Sequence, residues 1–439
     1  MNPSQDQIDA IAMMESGQSM FLTGGAGTGK TETIKTYLKR NPDRKVARLA
    51  TTCAAAQLIG GQTVHSFLQT SRDLHVPGNT QVKTHLRMKV KKFDTLIIEE
   101  ASMMRIDLLH NMRDVLFGSA RGYGDFAGYQ VIMVGDFAQL PPVLPDEETQ
   151  ALASLYGEDN LYAFQSRIWK SLKTCELTTI HRQADDLHFA EWLQTMRRGY
   201  LPDLEYINQR VHAPAHGAVK LVSTNAMASG INEIEMAKLP GGVYRIQGQV
   251  RRDFALRDMR VPETLVMKPG ARVILCANNP HAGYVNGSSG TFLHAHRDGE
   301  NKPQADVMLD SGKQVTVTQH VWESVSFDPN MVVGEGYEPQ VEFGRRVRGT
   351  YEQLPILPGW AITVHRSQGM SLQSLHVDPR GTFEFGQLYV SLSRATCLSG
   401  LTLEAPVVEA MVMCDPRVIE YHNHILRKSA VPEELSIAV

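Results

Sequence analysis

The segment FLTGGAGTGKT, from Phe21 to Thr31, spaces Gly24, Gly29, Lys30 and Thr31 as G-x-x-x-x-G-K-[ST], directly after an apolar strand and directly before the helix former ETIKTYLKR. That pattern is built for polyphosphate. Glycines let successive backbone amides turn toward one anion, and the start of the following helix adds positive potential. Lys30 supplies a point charge to the outer phosphates and the Thr31 hydroxyl suits Mg2+, so Gly25, Ala26, Gly27, Thr28, Gly29, Lys30 and Thr31 are the expected nucleotide cradle. A second reactive feature is LIIEEASMM, where Leu96, Ile97 and Ile98 run into the adjacent acids Glu99 and Glu100. Such a pair at a strand end is commonly solvated or caps the next helix. Beside a phosphate loop it has work in phosphoryl transfer: one acid orders the magnesium shell and the other polarises the attacking water.

These residues need a scaffold that brings strand ends together. SMFLTG, VARLATT, TLIIEE and YQVIMVGD read as buried strands, each followed by a segment of helical character, which predicts βαβ units and a parallel sheet. In such sheets the ligand crevice borders the carboxyl ends of the strands. Beyond LPPVLPDEE the pattern becomes helical through LHFAEWLQTMRRG and returns to strand at GAVKLVSTN; from about 243 to 349 glycine turns alternate with short strands. The expectation is a small antiparallel β module inserted in a second α/β domain.

Length and composition agree with this. A chain of 439 residues is too long for one core, and 42% hydrophobic with 21% charged residues is ordinary for a globular protein. The start MNPSQDQIDAIAMMESGQ lacks a basic region followed by an apolar core, and no apolar run is long enough for a bilayer, so cytoplasm and no membrane partner are expected. A net charge of −3 argues against a nonspecific polycation but leaves room for a narrow basic groove, for which THLRMKVKKF and EFGRRVRGT are candidates or else solvated faces. Five cysteines without a CxxC indicate neither a disulfide framework nor a zinc site. LHAHRD (His294, His296) and YHNHIL (His422, His424) pair histidines without a third ligand nearby in sequence, which favours surface or packing roles.

TGGAGTGKT, GGQTVHSF, LIIEEASM, GDFAQLPPV, FQSRIWK, LTTIHRQ, AITVHRSQGMSL and GQLYVSLSRA follow one another between Gln7 and Arg394, and in this order they resemble the Pif-type and RecD-like DNA helicases of superfamily one. The resemblance implies two RecA-like domains: residues 1–180 with a pin or wedge at about 66–90, then 181–242 together with 350–439, the module at 243–349 being SH3-like. It implies ATP and Mg2+ as cofactors, single-stranded DNA and fork or tailed duplex as partners, 5′ to 3′ movement, and a place in DNA repair, replication or recombination. It implies a monomer in a bacterial or phage-infected cytosol, the short ends fitting a helicase core without targeting extensions.

Residue by residue, the resemblance makes Gln7 the adenine reader, with Gln5 as rival, and adds Gly369 to the nucleotide contacts. Glu100 becomes the water-activating base and Glu99 the magnesium-shell acid beside Thr31. Gln139 would sense the γ-phosphate, near Asp136. Arg182 and Arg394 are the expected arginine fingers, since transition-state charge calls for an always-charged planar donor. Along the DNA track the resemblance aligns Thr52, Thr63, His65 and Phe67 of the first domain with Asn225, His365, Ser367, Gln368 and Ser371 of the second; Phe67, Leu74 or Val76 are candidate pin tips. Three positions depart from the family wording: Glu99 for aspartate, Arg366 for lysine and Ser371 for threonine. The extra methylene at Glu99 moves its carboxylate by about 1.5 Å. Two rivals stand beside the motor: a nucleotide-switched DNA-binding module, which needs no second domain with arginine fingers, and a small-molecule kinase, which leaves GGQTVHSF and TVHRSQG unexplained.

Overall fold

The computed structural model describes residues 3–70, 74–76, 82–144, 146–215, 217–254, 259–279, 281–333 and 339–429. The first α/β domain is a six-stranded parallel sheet of β1 (Met20–Gly24), β2 (Val46–Ala50), β3 (Gln62–Thr63), β4 (Thr95–Glu99), β5 (Gln130–Val134) and β6 (Lys173–Leu177), in the order β3-β2-β4-β5-β1-β6. Strands β1, β4 and β5 are buried along their whole length, as their uninterrupted apolar runs require when helices cover both faces. Their side chains divide by parity: Leu96 and Ile98 enter one core cluster and Ile97 the other, where it meets Leu22, Ile34 and Ile132. Strands β3 and β6 carry no comparable sequence signal. The first is two residues long, and the second, KTCEL, is largely half-exposed at the sheet edge.

Two helices frame the loop after β1. Helix α1 (Gln5–Glu15) starts on a capping box in which the Ser4 amide donates to Gln7 Oε1 at 3.0 Å. Helix α2 (Lys30–Arg40) starts at Gly29, whose φ of 81° suits glycine.

The second α/β domain holds a four-stranded parallel sheet ordered Ala361–Thr363, Val219–Val222, Leu375–Val377, Leu401–Leu403. Between its first and second strands in sequence lies the β module. Its five-stranded antiparallel sheet runs Gln314–Thr318, Pro303–Leu309, Ser289–Arg297, Arg272–Leu275, Ile356–Pro358, so the last strand lies beyond residue 349, where the sequence suggested the insert would end. A long hairpin, His320–Val333 with Pro339–Gln353, pairs on its other side with Gln249–Arg252. The backbone of its first strand approaches the short helices Val64–Leu68 and Thr84–Val90 of the first domain.

Within the pin region, 71–73 and 77–81 lie outside the described residues. Val76 is exposed, and the His75 amide donates to Asp107 at 3.0 Å, which ties this segment to the helix Ile106–Phe117. Among the described residues no helix is long and apolar enough to cross a membrane, and Cys175, Cys276, Cys397 and Cys414 are free thiols.

Candidate functional site

Neighbouring strands β4, β5 and β1 end side by side, which sets Glu99 and Glu100, Asp136 and the glycine loop along one edge of the first sheet. Strand alternation then orients Glu99. It shares the parity of Ile97, whose side is covered by α2, so its carboxyl meets the Thr31 hydroxyl at the start of that helix. Glu99 is 5% exposed and its Oε1 has no hydrogen-bond partner. Burial, and then the neighbouring charge of Glu100, push its pKa up to about 8, against the pull of Lys30 and Thr31. A buried, orphaned carboxylate oxygen beside a loop-ending threonine fits a hard divalent cation, which would supply the missing charge.

Glu100 leaves the strand at a φ of 53°, an uncommon conformation for a residue with a side chain, held by the Thr51 hydroxyl donating to its carbonyl at 2.7 Å. Burial raises its pKa, opposed by Lys30 of the loop and Arg394 of the second domain. Lys30 Nζ donates to the carbonyls of Gly24 and Gly25 at 2.8 and 3.1 Å. All four glycines of the loop are crowded, and Gly24, Gly27 and Gly29 also sit at positive φ. A Cβ on Gly27 would stand 2.5 Å from Arg182 Cβ, and one on Gly29 would stand 2.5 Å from Gln7 Nε2, both at positive φ. Gln7 is buried against this loop, its Nε2 donating to the Thr28 carbonyl at 3.3 Å, whereas Gln5 is turned to solvent and bonds Asp9.

From the second domain, Arg182 donates from Nε to Ser371 Oγ at 2.8 Å and from Nη1 to the Ser393 carbonyl at 3.0 Å. Burial, and then the charge of Arg394, bring its pKa down to about 9. Arg394 is 2% exposed; its Nε donates to the Val390 carbonyl at 2.9 Å, and its charge is opposed by burial and favoured by Tyr389, Glu100 and Asp136. The two guanidiniums and the acid at Glu100 thus converge on the loop.

Three residues at this junction were not singled out from sequence. Tyr389 accepts from the Ala26 amide at 2.9 Å and donates to Asp136 Oδ2 at 3.4 Å, joining phosphate loop, β5 loop and second domain. Gln183 donates to the carbonyls of Ser393 and Ala395. Arg197, 2% exposed, pairs with Asp136 at 3.0 Å and Glu176 at 2.7 Å. Burial works against ionised Asp136, but Arg197 and Lys30 prevail and hold its carboxyl below the usual range. Gln139 bonds the same acid, Nε2 to Oδ2 at 3.2 Å. GQLYVSLSRA contains Tyr389 in a quoted motif; what hid its role was a partner 363 residues away in sequence.

The expected DNA-facing residues divide. Asn225 and His365 are exposed, His65 and Gln368 half-buried, and Gly369 faces Leu58 of the first domain. Thr52 and Thr63 accept from the amides of Ala55 and Ser66, capping short helices. Two assignments need correction, and one serine serves another role. Phe67 is fully buried, packed edge-on against Phe93 with Lys89 Nζ 4.6 Å from its ring, because its short helix turns that face into the core; it presents no surface to a base or a duplex. Ser367 is likewise buried, its hydroxyl donating to the Val364 carbonyl at 2.7 Å. Ser371 holds Arg182.

The profile of the PIF1-like helicase family matches residues 1–206. The chain is 30% identical to human "ATP-dependent DNA helicase PIF1" over 97% of its own length and 64% of that protein, and 31% identical to "ATP-dependent DNA helicase Pif1" of a Psychrobacter species over 90% and 67%. It therefore spans about two thirds of these relatives. Its fold matches the crystal structure of Bacteroides Pif1 in complex with ADP-AlF4 with a TM-score of 0.86 at 24% identity, covering 98% of each chain. With its phosphate loop, acid pair and second-domain arginines set in two parallel-sheet domains, the chain belongs to the PIF1-like helicase family.

Proposed function

We propose that this protein is an ATP-dependent DNA helicase that moves 5′ to 3′ along single-stranded DNA and separates duplex ahead of it. The observation that carries the proposal is geometric: residues of the second domain stand on the phosphate loop, Tyr389 accepting from the Ala26 amide at 2.9 Å and the Arg182 amide donating to the Gly27 carbonyl at 3.3 Å, with the Arg394 charge bearing on Glu100. A binding switch has no need of a second-domain guanidinium at the hydrolytic acid.

In this reading the amides of Gly25 to Gly29 and the Lys30 ammonium bind the triphosphate, and Gln7 reads the adenine edge, its amide able both to donate and to accept. Glu100 takes the proton of the attacking water. Arg182 and Arg394 offset charge on the transferring phosphoryl group, a contribution typically worth ~10³ or more in rate for such a finger. Thr31 and Glu99 would hold Mg2+, which supplies positive charge at the phosphate oxygens when bound. Gln139 reports the γ-phosphate to the DNA side. Because Tyr389 and Arg182 of the second domain touch the loop at Ala26 and Gly27, bound nucleotide draws the domains together and its loss frees them. Asn225, His365, Gln368, Thr52, Thr63 and His65 line the track, and among the described residues the exposed Val76 offers an apolar tip for a wedge.

A fluorescence strand-separation assay on 5′-tailed and 3′-tailed duplexes tests this. ATP should drive separation of the 5′-tailed substrate only, and a nonhydrolysable analogue neither. Tight DNA binding with analogue and no separation with ATP would instead favour a nucleotide-switched binding module.

A further inference from the structure

The paired histidines of LHAHRD acquire a third donor in the folded chain. On the strand Ser289–Arg297, Phe292 points into the module's core, and a bulge between Phe292 and His294 resets the alternation. Ala295 then packs on the core, while His294 and His296 stand together on the outer face, ring centroids 5.5 Å apart. Opposite His294 in the ladder is Asp306 of the strand Pro303–Leu309, and opposite Asp306 on the next strand is Thr316.

The donor atoms are close. His294 Nε2 is 3.2 Å and His296 Nδ1 4.0 Å from the same oxygen, Asp306 Oδ2. One ligand atom from each residue lies within 4.8 Å of the other two. Around an ion with bonds of about 2.1 Å, tetrahedral donors stand roughly 3.4 Å apart, so a small closing movement suffices. Asp306 is 9% exposed, and its other oxygen, Oδ1, accepts from the Thr316 hydroxyl at 2.7 Å. That bond fixes the carboxylate with Oδ2 turned to the histidines, the arrangement by which a neighbouring group orients a metal ligand.

We infer that His294, His296 and Asp306 form a binding site for a divalent transition-metal ion of the zinc class on the outer face of the inserted β module. Two imidazoles and one carboxylate select zinc, cobalt, nickel or copper over magnesium and calcium, which prefer all-oxygen shells. Three protein ligands leave a coordination position for water. The ion would clasp two adjacent strands, and the inference is independent of the nucleotide site and of the helicase reading.

The test is calorimetric titration of Zn2+ into the chelator-stripped full chain without nucleotide, paralleled by Co2+ and its visible absorption. One equivalent should bind, undisturbed by excess Mg2+, with a nitrogen-ligated cobalt spectrum. His294→Ala, His296→Ala and Asp306→Asn should each abolish that equivalent. Thr316→Val should weaken it by about 10-fold while leaving the stoichiometry at one. The histidine variants lie on the exposed face, and unchanged melting in EDTA checks that they fold. Absence of zinc binding by the wild-type chain overturns the inference, as does binding of unaltered affinity in the His294→Ala/His296→Ala double variant.

Discussion

His422 offers a sharp test of the electrostatics behind the nucleotide site. It lies on the final helix, Pro416–Ser429, is 7% exposed, and neither ring nitrogen has a hydrogen-bond partner. Burial first, and then the Arg197 guanidinium, push its pKa down to about 4; Arg198 adds to that push, and Asp136 and Glu176 oppose it. Because the unfolded chain takes up the proton near the ordinary histidine value of about 6.5 while the folded chain resists to about 4, this group's contribution to stability is intact above the unfolded value. It is then lost progressively as pH falls through that window. At about pH 4.5 linkage puts the loss at roughly 2.5 kcal/mol. His422→Gln removes the titration while keeping a polar side chain of similar reach. Melting temperatures of both proteins are followed from about pH 7.5 to 4.5 in the absence of nucleotide, and over that range the wild type should lose roughly 3 °C more than the variant. Curves that stay parallel over this range would refute the reasoning, and with it the view that Arg197 and the burial of His422 suppress its protonation.

Glu100→Gln should leave ATP binding nearly intact and lower DNA-stimulated hydrolysis at least ~100-fold, the scale of a lost general base; unchanged turnover removes Glu100 from that role. Phe67→Ala should destabilise the first domain by about 3 to 5 kcal/mol, as for a large buried aromatic, so urea unfolding at a lower midpoint is expected. Loss of single-stranded DNA affinity without loss of stability would restore Phe67 to the track. Tyr389→Phe removes a contact that joins the phosphate loop to the second domain, and nucleotide affinity measured by fluorescent-analogue titration should fall roughly 5- to 10-fold, the worth of one such bond. An unaltered dissociation constant would mean that this contact does not couple the domains.

Much of the site was legible because its signals are local. Phosphate binding by backbone amides demands glycines at fixed offsets between a strand and a helix, and that demand is written in eight consecutive residues from Gly24 to Thr31. Buried parallel strands demand apolar runs, so β1, β2, β4 and β5 could be read, together with the acids that end β4. Strands β3 and β6 could not, since a two-residue edge and a half-exposed KTCEL carry neither length nor apolar continuity. The long hairpin His320–Val333 and Pro339–Gln353 and the strand Ile356–Pro358 take their places from pairing across the module rather than from their own composition.

The sequence by itself determined where the glycine loop and the paired acids of the first domain stand, since a strand–loop–helix pattern and the end of an apolar strand are both local features. Only the tertiary structure decided which residues meet across long separations. It turned Phe67 inward, gave Ser371 to Arg182, set Tyr389 between Ala26 and Asp136, and brought Asp306 to His294 and His296. The physical reason is common to all four. Side-chain direction on a short helix, a bulged strand or a domain interface depends on packing against distant segments, and spacing along the chain carries no record of that.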